Sequence, residues 1–232
     1  MRVPGGAGVS VGPDVLAELV RQVRDAVPRL GPPGPGALAA GEPTASGTRL
    51  VVVDGPAGSG KTTLAAQLGG ALPAQVLHMD DLYEGWRGLE PAWARLDAWV
   101  LTPLVAGRAG RYRRYDWHLD RFAEWHDVPA APYLVVEGCG AGRREADQVA
   151  ALRVWVEAPD DVRLRRGLDR DGEDQRDHWL AWMAAEREHY RRNGTRERAD
   201  VVLDGWGRLV RTGRTAPGPG PTAPRTDVGG EA

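Results

Sequence analysis

Residues 50–64 read LVVVDGPAGSGKTTL, and Lys61 within them is the only lysine in a 232-residue chain whose other 29 Lys+Arg residues are all Arg. Gly55, four residues, then Gly60, Lys61 and Thr62 fit G-x-x-x-x-G-K-[ST], set between an apolar run and a helical pattern that begins TTLAAQL. That spacing has a chemical purpose. Glycines at 55, 58 and 60 let the backbone turn tightly enough to aim successive N–H groups at phosphate oxygens, and the following helix adds its positive end. A compact ammonium such as Lys61 fits between β- and γ-phosphate oxygens where a planar guanidinium does not. The expected triphosphate-binding set is Gly55, Ala57, Gly58, Ser59, Gly60, Lys61, Thr62 and Thr63, with the Thr62 hydroxyl offered to Mg²⁺.

Phosphoryl transfer to an alcohol also needs a base, a second metal ligand and charge neutralisation. LHMDDLYEGW places Asp80 and Asp81 just after an apolar run, where Asp80 is the preferred proton acceptor and Asp81 is read either as a substrate-binding carboxylate or as a helix cap. PYLVVEG ends another run in Glu137, a candidate Mg²⁺ carboxylate. APDDVRLRRGLDRDGEDQRDHW crowds Arg163, Arg165, Arg166 and Arg170 onto one helix and the turn after it, either as a mobile lid over a triphosphate or as a solvated face paired with acids.

These residues need elements to carry them. Short apolar runs at 49–53, 75–79, 133–136, 153–157 and 200–203 read as buried parallel strands, with helical segments between them. The clearest helical pattern spans 91–105, with Pro103 as a kink. The expected fold is α/β: a five-stranded, mainly parallel sheet flanked by helices in three layers, with ligands at the carboxyl ends of the strands. Residues 1–47 read as an amphipathic helix over 13–27 and a Pro/Gly-rich linker, 48–210 as the catalytic domain with a lid around 163–176, and 211–232 as a disordered tail.

Composition sets bounds. A formal net charge of −2 argues against a nucleic-acid module working through a basic field. The single Cys139 fits a reducing, cytoplasmic compartment, and neither a membrane span nor a signal peptide is read. Trp179, Trp182 and Tyr190 are at helical spacing and read as core, and the five histidines show no metal-ligand spacing.

From residue 49 to about 205 the chain resembles the uridine kinase (uridine–cytidine kinase) family of P-loop kinases. The motifs that carry the resemblance are GPAGSGKTT, MDDLY, RYRRYDWHLDR, VVEG, RLRRGLDRD and RADVVLDG. It implies ATP- and Mg²⁺-dependent phosphorylation of a small hydroxyl acceptor, a nucleoside 5′-hydroxyl above all. Asp80 would be the base, Tyr83, Tyr115 and Trp117 would pack around the nucleoside, Glu137 would serve the metal, and Arg166 and Arg170 would form the lid. Trp117 stands where the family carries Phe, and Asp120 stands near the place of its His. Arg121 is read either as a substrate contact or as a salt bridge to Glu124 or Asp116. The same chemistry suits a sugar, a vitamin precursor or a nucleoside monophosphate, and a nucleotide switch or accessory ATPase is the non-kinase alternative.

Overall fold

The computed structural model describes residues 10–31 and 47–212. Most of the expected linker (32–46) and of the expected tail (213–232) lies outside the described residues. In chain order the first elements are α1 (Pro13–Asp25), β1 (Arg49–Asp54), α2 (Lys61–Ala71), β2 (Gln75–His78), α3 (Leu89–Leu96), α4 (Thr102–Val105), β3 (Gly110–Asp116) and β4 (Arg121–Val128). They are followed by β5 (Tyr133–Glu137), β6 (Ala150–Glu157), α5 (Asp160–Asp171), α6 (Arg176–Asn193), α7 (Thr195–Arg198), β7 (Val201–Asp204) and β8 (Leu209–Thr212).

All five expected strands form and run parallel, in the order β2-β5-β1-β6-β7. Valine-rich runs suit this position because a central parallel strand is covered on both faces. Leu50 and Val52 pack with Leu77, Leu96, Val100 and Tyr112 on one face. Val51 and Val53 pack with Leu64, Leu68 and the α1 residues Leu19 and Val23 on the other. Helix α1 is therefore built into the core, and Val11, just ahead of it, donates its amide to Gln67 of α2 at 3.0 Å.

The structure departs from the sequence reading in three places. The sheet has six strands, because β8 turns back antiparallel along β7, so the tail expected from 211 begins inside a strand. The turn is set by Asp204, whose Oδ1 accepts from the amides of Trp206 (3.0 Å) and Arg208 (2.8 Å). The helix expected over 91–105 spans 89–105 with a π-turn at Asp97–Leu101. Pro103 follows that turn, where its missing N–H leaves the helical ladder already broken. Between α4 and β5, β3 and β4 form a separate antiparallel hairpin that the sequence reading did not identify. No described helix is long and apolar enough to cross a membrane.

Candidate active site

Adjacent strands β2, β5 and β1 bring their carboxyl ends together, with His78 in register with Glu137 and Glu137 with Val53. The phosphate loop rises from β1 into α2 on this edge. Gly55 has φ +143 and Gly58 φ +78, and a Cβ at either would stand 2.0 Å from the Val156 carbonyl oxygen or 2.6 Å from that of Arg163. Only glycine fits these two places.

The back of the loop is tied down at four successive carbonyls. Gly55 C=O accepts from the Tyr190 hydroxyl (2.7 Å), Pro56 C=O from Lys61 Nζ (2.9 Å), Ala57 C=O from Arg163 (2.9 Å) and Gly58 C=O from Arg166 (3.1 Å). The amides of Gly58, Gly60, Lys61 and Thr62 have no hydrogen-bond partner among the described residues. Such a nest is a site for anionic oxygens, and a polyphosphate fits it. Ser59 instead turns its amide to Pro56 C=O, and the Thr63 amide goes to Gly60 C=O, both at 3.2 Å.

Lys61 is buried. Burial alone would lower its pKa, but Cys139, Glu137, Glu186 and Asp54 around it outweigh this and hold the ammonium above the ordinary lysine range. Thr62 donates its hydroxyl to Glu137 Oε1 at 3.0 Å, and His78 Nδ1 lies 2.5 Å from the same oxygen. Desolvation pushes the Glu137 carboxyl up, yet His78, Lys61 and Thr62 together bring it below its usual range. A hydroxyl and an ionised carboxylate in contact at the foot of the nest are oxygen donors suited to Mg²⁺.

Asp80 follows β2 in a 3₁₀ turn (Met79–Asp81) and opens to solvent. The protein mass around it raises its carboxyl above the aspartate range, Glu137 adds to this, and Arg170, Lys61 and His78 oppose it. Asp80 is thus within the field of the nest's lysine and of the Glu137 pair. Asp81 accepts a hydrogen bond from Tyr112 (3.0 Å) and caps no helix with its side chain.

Trp117, at the tip of the β3–β4 hairpin, is exposed and donates Nε1–H to the Asp80 carbonyl at 3.1 Å. Its ring meets Trp86 edge-on at 5.6 Å, and Trp86 stacks on His178 from the start of α6. Tyr83 and Tyr115, expected beside the acceptor, are buried instead. The Tyr83 hydroxyl donates to Cys139 C=O (2.7 Å) and its ring packs on Trp182, while Tyr115 bonds Asp120 and packs on Phe122. Arg121 is exposed, and neither salt bridge considered for it forms, because Asp116 and Glu124 are both taken by Arg114. Arg166 bonds Gly58 and Gly205 carbonyls, a brace behind the loop where a lid residue was expected. Arg170 is exposed, pairs with Asp171 and lies over the Trp179 ring.

Four further residues escaped the sequence reading. Asp54 is buried and accepts from the amides of Gly55 (2.6 Å), Gly140 (3.0 Å) and Gly142 (2.7 Å), locking the phosphate loop to the loop after β5. The Tyr190 hydroxyl lies between its Oδ1 (2.8 Å) and the Gly55 carbonyl, sharing one proton with the two. Burial raises its carboxyl, which those donors oppose. Tyr190 was read as core, His78 as an unremarkable histidine, and Glu186 not at all. An acid directly before the glycine loop was the one readable signal; the others depend on contacts across the chain.

No family profile matches the chain. A cytidylate kinase from Natronomonas pharaonis is 35% identical over 127 residues, which are 53% of this chain and 58% of that relative. The chain thus spans little more than half the length of the curated relatives it matches. Among solved structures, one described as a possible uridine kinase from Bacillus stearothermophilus superposes with TM-score 0.54 at 21% identity, covering 82% of this chain and 98% of the other. D-glycerate 3-kinase from Cryptococcus neoformans superposes with TM-score 0.53 at 14% identity, covering 85% and 96%. The fold is that of the P-loop kinases.

Proposed function

We propose that the protein transfers the γ-phosphoryl group of ATP to the hydroxyl of a small acceptor, a nucleoside 5′-hydroxyl by preference. The observation that carries this reading is the pairing of an amide nest without internal partners with the Asp80 carboxylate in the turn after β2, on the same edge of the sheet. Gly58, Gly60, Lys61 and Thr62 would grip the phosphates, and Thr62 with Glu137 would hold Mg²⁺. When bound, the ion supplies charge neutralisation for the polyphosphate. Asp80 accepts the proton of the acceptor hydroxyl, for which a carboxyl nearer neutral pH is better matched than an ordinary aspartate. Arg170 adds positive charge beside Asp80, and Trp117 with Trp86 offers aromatic surface to a planar acceptor. The single buried Cys139 suits a cytoplasmic setting.

A second reading keeps the chemistry and makes the acceptor a nucleoside monophosphate, favoured by the similarity to a cytidylate kinase. A coupled ADP-release assay with uridine, cytidine, CMP, UMP and unrelated alcohols separates the two. Turnover indifferent to every acceptor would refute both and leave an ATPase.

A further inference from the structure

The phosphate loop is held from behind by the two helices after β6, and the hold centres on one residue, Ala57, through the two peptide planes that flank it. Ala57 donates its amide to Glu186 Oε2 (2.8 Å) and accepts at its carbonyl from Arg163 Nη1 (2.9 Å). Glu186 Oε1 and Arg163 Nη1 are themselves paired at 2.7 Å, and both side chains are almost wholly buried. Arg163 belongs to α5 and Glu186 to α6, so the ion pair joins two helices and clamps the loop between its members. One turn beyond Glu186 on α6, Tyr190 takes the carbonyl of Gly55. The Gly-Pro-Ala stretch is thereby fixed at both ends by α6, the helix that directly follows the arginine-rich segment 163–176.

This arrangement does more than join helices. The Ala57 carbonyl and the Gly58 amide share one peptide plane, so the Arg163 bond fixes the first of the four unpartnered amides. Glu186 fixes the plane before it through the Ala57 N–H and holds Arg163 in place. A buried ion pair is often no more stabilising than apolar side chains of the same volume, so its presence here calls for a reason beyond stability. We infer that Glu186, acting with Arg163, is a positioning residue for ATP: through Ala57 it sets the phosphate loop in its binding geometry and couples that geometry to the placement of α5 and α6.

The inference rests on the reading of the loop as an ATP site. Its test is calorimetric MgATP binding beside thermal unfolding, for the parent, Glu186→Gln, Glu186→Asp and the double variant Arg163→Met with Glu186→Met. Gln keeps an acceptor for the Ala57 amide, Asp keeps the charge but withdraws it from Ala57, and the double variant removes both charges together. The expected result is binding weakened by about tenfold or more in the double variant and severalfold for Asp, with Gln within about threefold of the parent. Parent-like affinity in any folded variant lacking the Ala57 bond overturns the inference. Unfolding of all three variants assigns the pair to stability alone and also overturns it. Failure of the parent to bind MgATP would instead refute the functional reading.

Discussion

The two halves of the candidate site are built in opposite ways. The proposed phosphate half is a contiguous stretch, Asp54 to Thr62, whose carbonyls at 55–58 are all bonded and whose lysine is buried beside Glu137, Glu186 and Asp54. The proposed acceptor half is assembled from the turn after β2, the tip of a hairpin and the start of α6, and its most prominent ring, Trp117, is 40% exposed. A site for a triphosphate is a site for fixed charge, which must be pre-aimed. A site for a variable acceptor is made of surface turns that tolerate change. Rigidity at one end and replaceable surface at the other are what a fold reused for many acceptors requires.

The contrast breaks most sharply at Lys61. Lys61→Ala is expected to lower transfer by about 10³-fold or more while the far-ultraviolet dichroism stays that of the parent; near-normal turnover would remove the loop from the mechanism. Asp80→Asn comes next, with kcat down by about 10²-fold and MgATP affinity within about threefold. Equal losses in both would make Asp80 a structural or metal-binding residue.

The pH behaviour sharpens the same comparison. Asp80 is raised in the folded state, so it binds a proton at higher pH than in the unfolded chain. Its contribution to stability is present below the unfolded value and is lost as pH rises through the folded one. Asp80→Asn should therefore keep or raise Tm at neutral pH, and the acid limb of kcat/KM, lying above the usual aspartate range in the parent, should disappear. Glu137 has the opposite sign: lowered in the fold, it stabilises above the unfolded value and that contribution fades as pH falls through the folded one.

Smaller effects belong to the acceptor half. Trp117→Ala is expected to raise acceptor KM by roughly fivefold, about 1 kcal/mol, with ATP KM unchanged. A matching rise in ATP KM would show that the two halves are not separable. Smallest is Arg121→Ala, expected to fall within about 0.5 kcal/mol of the parent in stability, with little change in acceptor KM; a clear rise would place the acceptor against the hairpin's outer strand.

The difference between the halves also decided what could be read from the residues alone. The five parallel strands and the loop were legible because β-branched runs and glycine spacing are local signals. The hairpin was not, since its alternation is interrupted where the register shifts between Arg113 and Tyr115 and its strands are rich in arginine. Tyr83 and Tyr115 drew attention as aromatics near an acid, but sequence spacing does not reveal that their hydroxyls are taken by the Cys139 carbonyl and by Asp120. Glu186 drew no reading at all. Its partner Ala57 lies 129 positions away in the chain, a separation that no local pattern encodes.

Helix α1 has a practical consequence. Leu19 and Val23 are at most 1% exposed and rest on the same apolar layer as Val51, Val53 and Leu64. A chain trimmed to begin at residue 48 would bare that layer to water, and its fate would be clumping and poor yield. Anyone shortening this protein for expression should cut ahead of Val11.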